Sequence, residues 1–280
     1  MIPSPFTYQR AGSVQEALSM LNEDAQVLAG GHSLIPAMKL RLNQPGTVVD
    51  ISRIESLQAI SDSGRHLIIG AGATHGSIAA NSLVQQHCSF LAEGAGMIGD
   101  IQVRNKGTIG GSLAHADPAA DWPGLLIAAA ATIKLDSLKG SRTVPAADFF
   151  TGFYETARED NEIITEIHIP KLNGNHQSTY QKFVQPASRY AIVGVAAAIE
   201  VDMGKIKSAR VAINGLSSHA FLAEAVGQAL VGQPANENTA QAAAQHASKA
   251  EDVLSDHYAS EEYRRHLAQV YTKRAILACL

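Results

Sequence analysis

Cysteine and long apolar runs are both scarce in this chain of 280 residues. Its two cysteines, Cys88 and Cys279, lie far apart and outside any CxxC pattern, which argues against a disulfide framework, a zinc site or an iron–sulfur cluster within the chain. No stretch reaches the roughly 18 apolar residues that span a bilayer, and the N-terminus has no apolar run typical of a signal peptide. We therefore expect a cytoplasmic protein.

Charge is also sparse, and this restricts the classes of partner. Charged residues make up 17% of the chain and the formal net charge is −4, which gives no reason to expect nucleic acid or an acidic membrane as a partner. Apolar residues account for 46%, as in folded globular proteins. The length is sufficient for a substantial core and for two or three lobes.

What the chain does contain is two short segments with paired glycines. We call Ala29–Ser33 (AGGHS) the first glycine loop and Thr108–Ser112 (TIGGS) the second glycine loop. Glycine lets the main chain approach a ligand closely, and successive backbone N–H groups bind anions. Either segment alone is more often a turn. Together, with a helix start able to face a phosphate, they predict a diphosphate held from two sides.

The segment Gly70–Gly76 is similar to a dinucleotide-binding turn but departs from it. It follows a predicted strand and precedes a predicted helix, yet His75 stands where the third glycine of GxGxxG belongs. We interpret it as a tight strand-to-helix turn capped by Thr74 and reject a Rossmann NAD site there.

The polar string after the second glycine loop contains His115, Asp117 and Asp121, which could be interpreted as metal ligands. No further His or Cys completes a usual zinc spacing. Loop capping and hydrogen bonding therefore explain these residues better, and we expect no metal site in this chain.

Four segments carry a resemblance to a known family. They are AGGHSLIPAMKLRL from Ala29, RNKGTIGGSLAHADPAADWP from Arg104, RYAIVGVAAA from Arg189 and EEYRRHLAQVYTKRAI from Glu261. They cover the chain from near its start to its end, in the family's order. On these segments the chain resembles the FAD-binding medium subunit of the molybdenum hydroxylases, the group that includes carbon monoxide dehydrogenase and the flavin domain of xanthine dehydrogenase.

The resemblance and the order of predicted elements together imply an α+β fold. Residues 1–175 form a two-lobed FAD-binding domain of PCMH type, with sub-lobes of about 1–54 and 55–175. Residues 176–280 form a C-terminal α+β domain, in which a three-stranded antiparallel sheet is followed by helices. Clustered Asn and Gly in segment 172–176 indicate the linker between them.

The resemblance assigns FAD contacts to both glycine loops and to several positions beyond them. The residues so assigned are Ala29, Gly30, Gly31, His32, Ser33, Thr108, Ile109, Gly110, Gly111, Ser112, His115, Asp121, Ile164, Lys182 and Tyr190. On the family's pattern the loops hold the pyrophosphate, Asp121 binds the ribityl or adenosine part, and His115 lies near the cofactor. Lys182 contacts the cofactor, Tyr190 lies against the isoalloxazine ring, and Ile164 is an apolar neighbour of the flavin.

Ser112 departs from the family's pattern, because relatives commonly carry Asn at this position. Serine keeps a hydroxyl but lacks the reach of the amide. The resemblance therefore implies that the backbone contacts of the second glycine loop survive, whereas the side-chain contact does not carry over.

The resemblance also implies what the chain does. Isoalloxazine accepts electrons singly and releases them in pairs. The expected role is that of a flavoprotein subunit of an oxidoreductase, which takes electrons from the 2Fe-2S clusters of a small subunit and passes them to an external acceptor. Hydroxylation takes place on a separate large subunit with a molybdopterin cofactor, so no residue of this chain is expected to be catalytic. The expected assembly is a dimer of heterotrimers.

Two other functions remain open at this point. One is a stand-alone FAD oxidoreductase of the same broad fold, similar to UDP-N-acetylenolpyruvoylglucosamine reductase. The other is a scaffold subunit that has lost productive FAD binding.

Overall fold

A computed structural model describes residues 1–171 and 175–280, so residues 172–174 of the predicted linker lie outside the described residues. Three sheets organise the described chain into an N-terminal, a middle and a C-terminal lobe, and a small two-stranded hairpin adds to the middle lobe. Within these residues, no helix is long and apolar enough to cross a membrane.

The N-terminal lobe is a parallel sheet with two short helices. Its elements are β1 (Thr7–Arg10), α1 (Val14–Met20), β2 (Ala25–Leu28), α2 (Leu34–Lys39) and β3 (Thr47–Asp50). The strand order is β1-β3-β2, and both pairings are parallel. A capping box starts α1, since the Glu16 N–H donates to Ser13 Oγ at 3.1 Å and the Glu16 carboxylate accepts from the Gly12 N–H at 2.7 Å. The first glycine loop connects β2 to α2.

The middle lobe packs short helices against an antiparallel five-stranded sheet. Its elements are β4 (Ile60–Asp62), β5 (His66–Gly70), α3 (His75–Ala80), α4 (Ser82–His87), α5 (Ser89–Met97), α6 (Ile101–Arg104), α7 (Ile109–His115), α8 (Asp121–Ala128), β6 (Thr132–Ser137), β7 (Gly140–Pro145), α9 (Ala146–Phe149), β8 (Phe150–Gly152), β9 (Glu155–Thr156) and β10 (Ile163–Pro170). The sheet order is β4-β5-β10-β6-β7. Helix α8 lies entirely within the apolar core, and the side chain of Trp122 on it is fully buried.

The C-terminal lobe has the expected antiparallel sheet followed by helices. Its elements are β11 (His176–Val184), β12 (Ala191–Asp202), β13 (Lys205–Asn214), β14 (Phe221–Leu222), α10 (Glu224–Leu230), α11 (Glu237–Ala244) and α12 (Glu261–Leu277). The three predicted long strands are β11, β12 and β13, and the two-residue strand β14 extends the sheet beyond β13. The predicted α+β class is thereby confirmed.

Backbone hydrogen bonds join the C-terminal lobe to the segment before α8. The Ala191 N–H donates to the Ala119 carbonyl at 3.1 Å, and the Gly215 N–H donates to the Pro118 carbonyl at 2.7 Å. Arg264 on α12 stabilises this junction because its guanidinium donates to the Gly215 carbonyl at 2.6 Å. The segment between the second glycine loop and α8 is thus attached to the C-terminal lobe at two points.

Candidate cofactor-binding site

The first glycine loop presents a run of unused backbone donors. The N–H groups of Gly30, Gly31, His32 and Ser33 donate no hydrogen bond to any residue in the part of the chain that the structure describes. Gly31 has a φ of +76°, a left-handed conformation that glycine adopts without strain. Such a run of free N–H groups, turned by a left-handed residue, forms a concavity that suits an anion.

Gly30 brings the two glycine loops together. A Cβ atom at this position would overlap the carbonyl oxygen of Lys106 and would lie 2.9 Å from the Cα of Gly107. The first loop therefore packs directly against the residues that precede the second loop. A side chain at position 30 would force the two loops apart.

The second glycine loop is the first turn of a helix rather than an open loop. Thr108 caps α7, since its Oγ1 accepts from the Gly111 N–H at 3.1 Å. The N–H groups of Ile109 and Gly110 donate to carbonyls of the turn after β5, and that of Ser112 donates to the Thr108 carbonyl. The expectation that this segment offers a run of open N–H groups is therefore wrong. Within this segment and the described chain, the Thr108 N–H alone is left without an acceptor.

The turn Gly70–Gly76 supports the second loop and is capped as predicted. The Thr74 hydroxyl accepts from the Ser77 N–H at 3.1 Å, and Thr74 pairs with Thr108 in an isolated antiparallel bridge. His75 points into the core, where its Nδ1 accepts from the Trp122 indole N–H at 3.0 Å. Burial lowers the pKa of His75 to about 4, so the ring is a neutral acceptor at physiological pH.

The His75 pair predicts a pH dependence of stability. The folded pKa is about 4 against 6.5 for the unfolded chain, so below pH 6.5 the unfolded state takes up a proton that the folded state does not. The free energy of unfolding should therefore fall as the pH drops from 6.5 towards 4, by about 3 kcal/mol from this group. Denaturant titrations at several pH values, compared between wild type and His75→Gln, measure this contribution. His75→Gln retains an acceptor for the indole N–H. Parallel pH profiles of stability for the two proteins would show that His75 does not cause the pH dependence.

On the far side of α7, Asp121 and Lys182 form a buried ion pair. Their Nζ–Oδ2 distance is 2.8 Å, and the side chains are 3% exposed for Lys182 and 4% for Asp121. Tyr180 donates its phenol hydrogen to the other oxygen of Asp121 at 2.5 Å. Burial raises the pKa of the Asp121 carboxyl, and the adjacent ammonium opposes this. Asp121 is also the first residue of α8, where the helix dipole favours a negative charge.

Tyr190 lies on the loop between β11 and β12 and is 42% exposed. Burial of its ring, together with the carboxylates of Asp117 and Asp121, raises the pKa of Tyr190 to about 12. The phenol therefore keeps its proton. Asp117 in turn accepts from the Tyr154 hydroxyl at 3.0 Å, and the Tyr154 ring lies 5.1 Å from that of His115.

Two further predicted residues contribute to packing. Ala29 packs against the apolar cluster of the N-terminal lobe, and Ile164 is buried on β10 within the core of the middle lobe. Sequence reasoning did not select Tyr154, which lies at the tip of the β8–β9 hairpin with a φ of +58°. A left-handed tyrosine between two short strands has no signature in the sequence, although Gly152, two residues earlier, indicates a turn.

The arrangement fits a dinucleotide. The first loop supplies unpaired N–H groups for a diphosphate, and the glycine contact at position 30 fixes this loop against the start of α7. A neutral, partly exposed phenol at Tyr190 offers a face for an aromatic ring. Within residues 1–171 and 175–280, no group of three or more His, Cys, Asp or Glu side chains is arranged to hold a metal ion.

Comparison with known families agrees with this fold and with the binding of a flavin. The family model for the FAD binding domain in molybdopterin dehydrogenase matches residues 4–172, and the model for the CO dehydrogenase flavoprotein C-terminal domain matches residues 178–279. The chain belongs to the family of FAD-binding flavoprotein subunits of molybdenum hydroxylases. The resemblance stated from the four sequence segments is confirmed, as is the role of a flavoprotein component of an oxidoreductase.

Individual relatives span the whole chain. The chain is 39% identical over 277 residues to the glyceraldehyde dehydrogenase medium chain of Sulfolobus acidocaldarius, covering 98% of each chain. It is 37% identical to the carbon monoxide dehydrogenase medium chain of Hydrogenophaga pseudoflava, covering 99% of this chain and 98% of the relative.

Solved structures give the same result. Carbon monoxide dehydrogenase from Hydrogenophaga pseudoflava superposes with a TM-score of 0.97 at 39% identity, covering 100% of this chain and 98% of that chain. Quinoline 2-oxidoreductase from Pseudomonas putida 86 superposes with a TM-score of 0.94 at 33% identity, again covering 100% and 98%.

Proposed function

We propose that this subunit holds FAD between the first glycine loop and the loop that carries Tyr190, with the diphosphate on the first loop. The proposal rests on the run of unpaired N–H groups at residues 30–33, in a loop that packs against the residues just before α7. Among the described residues, the Thr108 N–H has no acceptor and the Ser112 hydroxyl has no hydrogen-bond partner. His115 and Tyr190 flank the segment 117–121. On the resemblance, Tyr190 lies against the isoalloxazine ring and Asp121 binds the ribityl or adenosine part of the cofactor.

When bound, FAD supplies one-electron and two-electron chemistry, and the protein supplies position, electrostatics and access. The free backbone N–H groups of the first loop would hold the diphosphate through charge-assisted hydrogen bonds. Tyr190 presents a protonated phenol at physiological pH, as an unperturbed tyrosine does, and its raised pKa places ionisation further away still. Its neutral ring can lie against a flavin without adding a charge to it.

The partners follow from the same proposal. A small subunit with 2Fe-2S clusters delivers electrons to this chain, a large subunit with a molybdopterin cofactor hydroxylates the substrate, and an external acceptor removes the electrons. The relatives named as medium chains support such companions, and we propose the dimer of heterotrimers as the assembly. A cytoplasmic location and the domain boundaries 1–175 and 176–280 stay predictions from the sequence.

The C-terminal match favours this role over a stand-alone flavin oxidoreductase, because residues 178–279 match a domain described for the CO dehydrogenase flavoprotein. The free donors of the first loop favour FAD binding over a scaffold function.

Isolation of the native complex through a tag on this chain tests the proposal. We expect the chain to elute with FAD, iron and molybdenum, together with one smaller and one larger polypeptide. A control purification from cells grown without molybdate should keep the FAD and lose the molybdenum. A chain that elutes alone with FAD, and is reduced by a substrate of its own, would contradict the subunit role and support a stand-alone oxidoreductase.

A further inference from the structure

The loop that carries Tyr190 has an internally fixed shape. We call residues 185–190 the Tyr190 loop. The Arg189 N–H donates to the Gln185 carbonyl at 2.8 Å, and the Gln185 N–H donates to the Tyr190 carbonyl at 2.9 Å. The Ser188 hydroxyl donates to the side-chain oxygen of Gln185 at 2.8 Å. These bonds define the conformation of the loop, but they do not define where it lies relative to the middle lobe.

Lys182 supplies that placement. Its ammonium donates to the Asp121 carboxylate at 2.8 Å, to the Arg189 carbonyl at 2.8 Å and to the Met97 carbonyl at 3.2 Å. Asp121 and Met97 belong to the middle lobe, whereas Arg189 belongs to the Tyr190 loop. One buried side chain therefore ties the loop to two elements of the FAD-binding half of the chain.

An ammonium group has three N–H donors, and here all three have acceptors in the protein. The side chain is 3% exposed, so solvent does not compete for them. No donor is left for a cofactor atom unless one of these bonds breaks. We infer that Lys182 acts on the flavin site as a positioning residue, by holding the Tyr190 loop, and that it is not a direct ligand of FAD.

A second hydrogen bond attaches the chain to the middle lobe on the other side of Tyr190, so loss of the Lys182 contacts would mainly affect Tyr190. The Ala191 N–H donates to the Ala119 carbonyl at 3.1 Å, so Tyr190 lies between two attachments to the segment 119–121. Release of the Arg189 carbonyl would leave the Ala191 attachment and one long bond, 3.4 Å, from the Arg189 guanidinium to the Gly99 carbonyl. The Tyr190 side chain, between these attachments, would then lose its fixed place in the loop.

The inference rests on the proposed placement of FAD beside Tyr190, and its test separates the two. Lys182→Met alone would leave the Asp121 carboxylate buried without a cation, which is strongly destabilising. The double variant Lys182→Met/Asp121→Asn removes both charges and preserves the shapes of both side chains. Lys134→Met is the matched control, because Lys134 also bonds a carboxylate, that of Glu166 at 2.9 Å, on a sheet away from the loop.

Two readouts are followed on the full chain, with and without added FAD. The first is the rate of trypsin cleavage after Arg189, measured by mass spectrometry of the new terminus. The second is the fluorescence of bound FAD, which a stacked tyrosine quenches. We expect cleavage to be at least tenfold faster in the double variant than in wild type or Lys134→Met, and the fluorescence per bound FAD to be higher.

If the double variant is cleaved at the wild-type rate, the inference is overturned. If it is cleaved at the wild-type rate and also binds FAD much more weakly, Lys182 or Asp121 is a direct ligand of FAD. If wild type itself binds no FAD, the proposed function fails, and with it the role of Lys182 at the flavin. Cleavage of the chain without FAD then still decides whether Lys182 holds the loop.

Discussion

Gly30→Ala is expected to abolish tight FAD binding while leaving the chain folded. The new Cβ atom meets the Lys106 carbonyl and the Cα of Gly107, both of which are backbone atoms that cannot rotate away. The first glycine loop must then move, and its free N–H groups lose their alignment with the diphosphate. Loss of two hydrogen bonds to a charged group, at about 1.5–3 kcal/mol each, weakens binding by roughly 10²–10⁴-fold.

Gly96→Ala is the matched control for this substitution. Gly96 lies in α5, and a Cβ atom there would meet nothing within 4 Å. It should bind FAD like wild type and should be slightly more stable, since alanine favours the helix. The dissociation constant is measured by fluorescence titration of the chain with FAD. Gly30→Ala with wild-type affinity would show that the diphosphate does not lie on the first glycine loop.

Arg264→Met is expected to cause the largest loss of stability, about 3–5 kcal/mol. The buried guanidinium donates to the carbonyls of Ile192 and Gly215 at 2.5 and 2.6 Å and to the Asp256 carboxylate at 2.7 Å. Methionine fills a similar volume but leaves both carbonyls without this donor inside the protein. The junction through the Gly215 N–H and the Pro118 carbonyl should loosen as well, so FAD affinity should fall together with stability.

Denaturant-induced unfolding, followed by far-ultraviolet circular dichroism, measures the loss of stability. Arg274→Met on the same helix serves as the control, since Arg274 is exposed and lies 4.9 Å from the centre of the Tyr271 ring. Loss of this cation–π contact should lower the free energy of unfolding by less than about 1 kcal/mol. Equal unfolding midpoints for Arg264→Met and Arg274→Met would exclude the proposed role of Arg264 at the lobe junction.

Local patterns in the sequence predict much of the fold. The alternation of apolar residues predicts the three long strands of the C-terminal sheet, and the Ser13–Glu16 pattern predicts the start of α1. Each of these features depends on residues close together in the chain. The same holds for Thr74, whose capping bond needs only the residue three positions later.

Other features depend on contacts that no local pattern reports. The apolar run 125–131 predicts a helix, but α8 already begins at Asp121, because Lys182 and Tyr180 from a distant strand satisfy that carboxylate inside the core. The edge strand Thr7–Arg10 is missed because all four of its residues are exposed and show no alternation.

The sequence displays the paired glycines of the candidate site, but it does not show how differently the two loops are built. Two similar glycine pairs suggest two similar loops. In the structure, Ile109 and Gly110 donate to the turn after β5, so the second loop lacks the run of free N–H groups that the first loop has. Lys182 is equally ambiguous in sequence, since a lysine on a strand is usually solvated, and only its three acceptors distinguish it.

The most direct test of the central claim is the visible absorption spectrum of the purified chain, followed by denaturation and identification of any cofactor that is released. We expect flavin absorption bands and stoichiometric FAD, with the FAD absent from Gly30→Ala and present in Gly96→Ala. A colourless chain that also fails to take up added FAD would contradict the assignment of the two glycine loops as a flavin site.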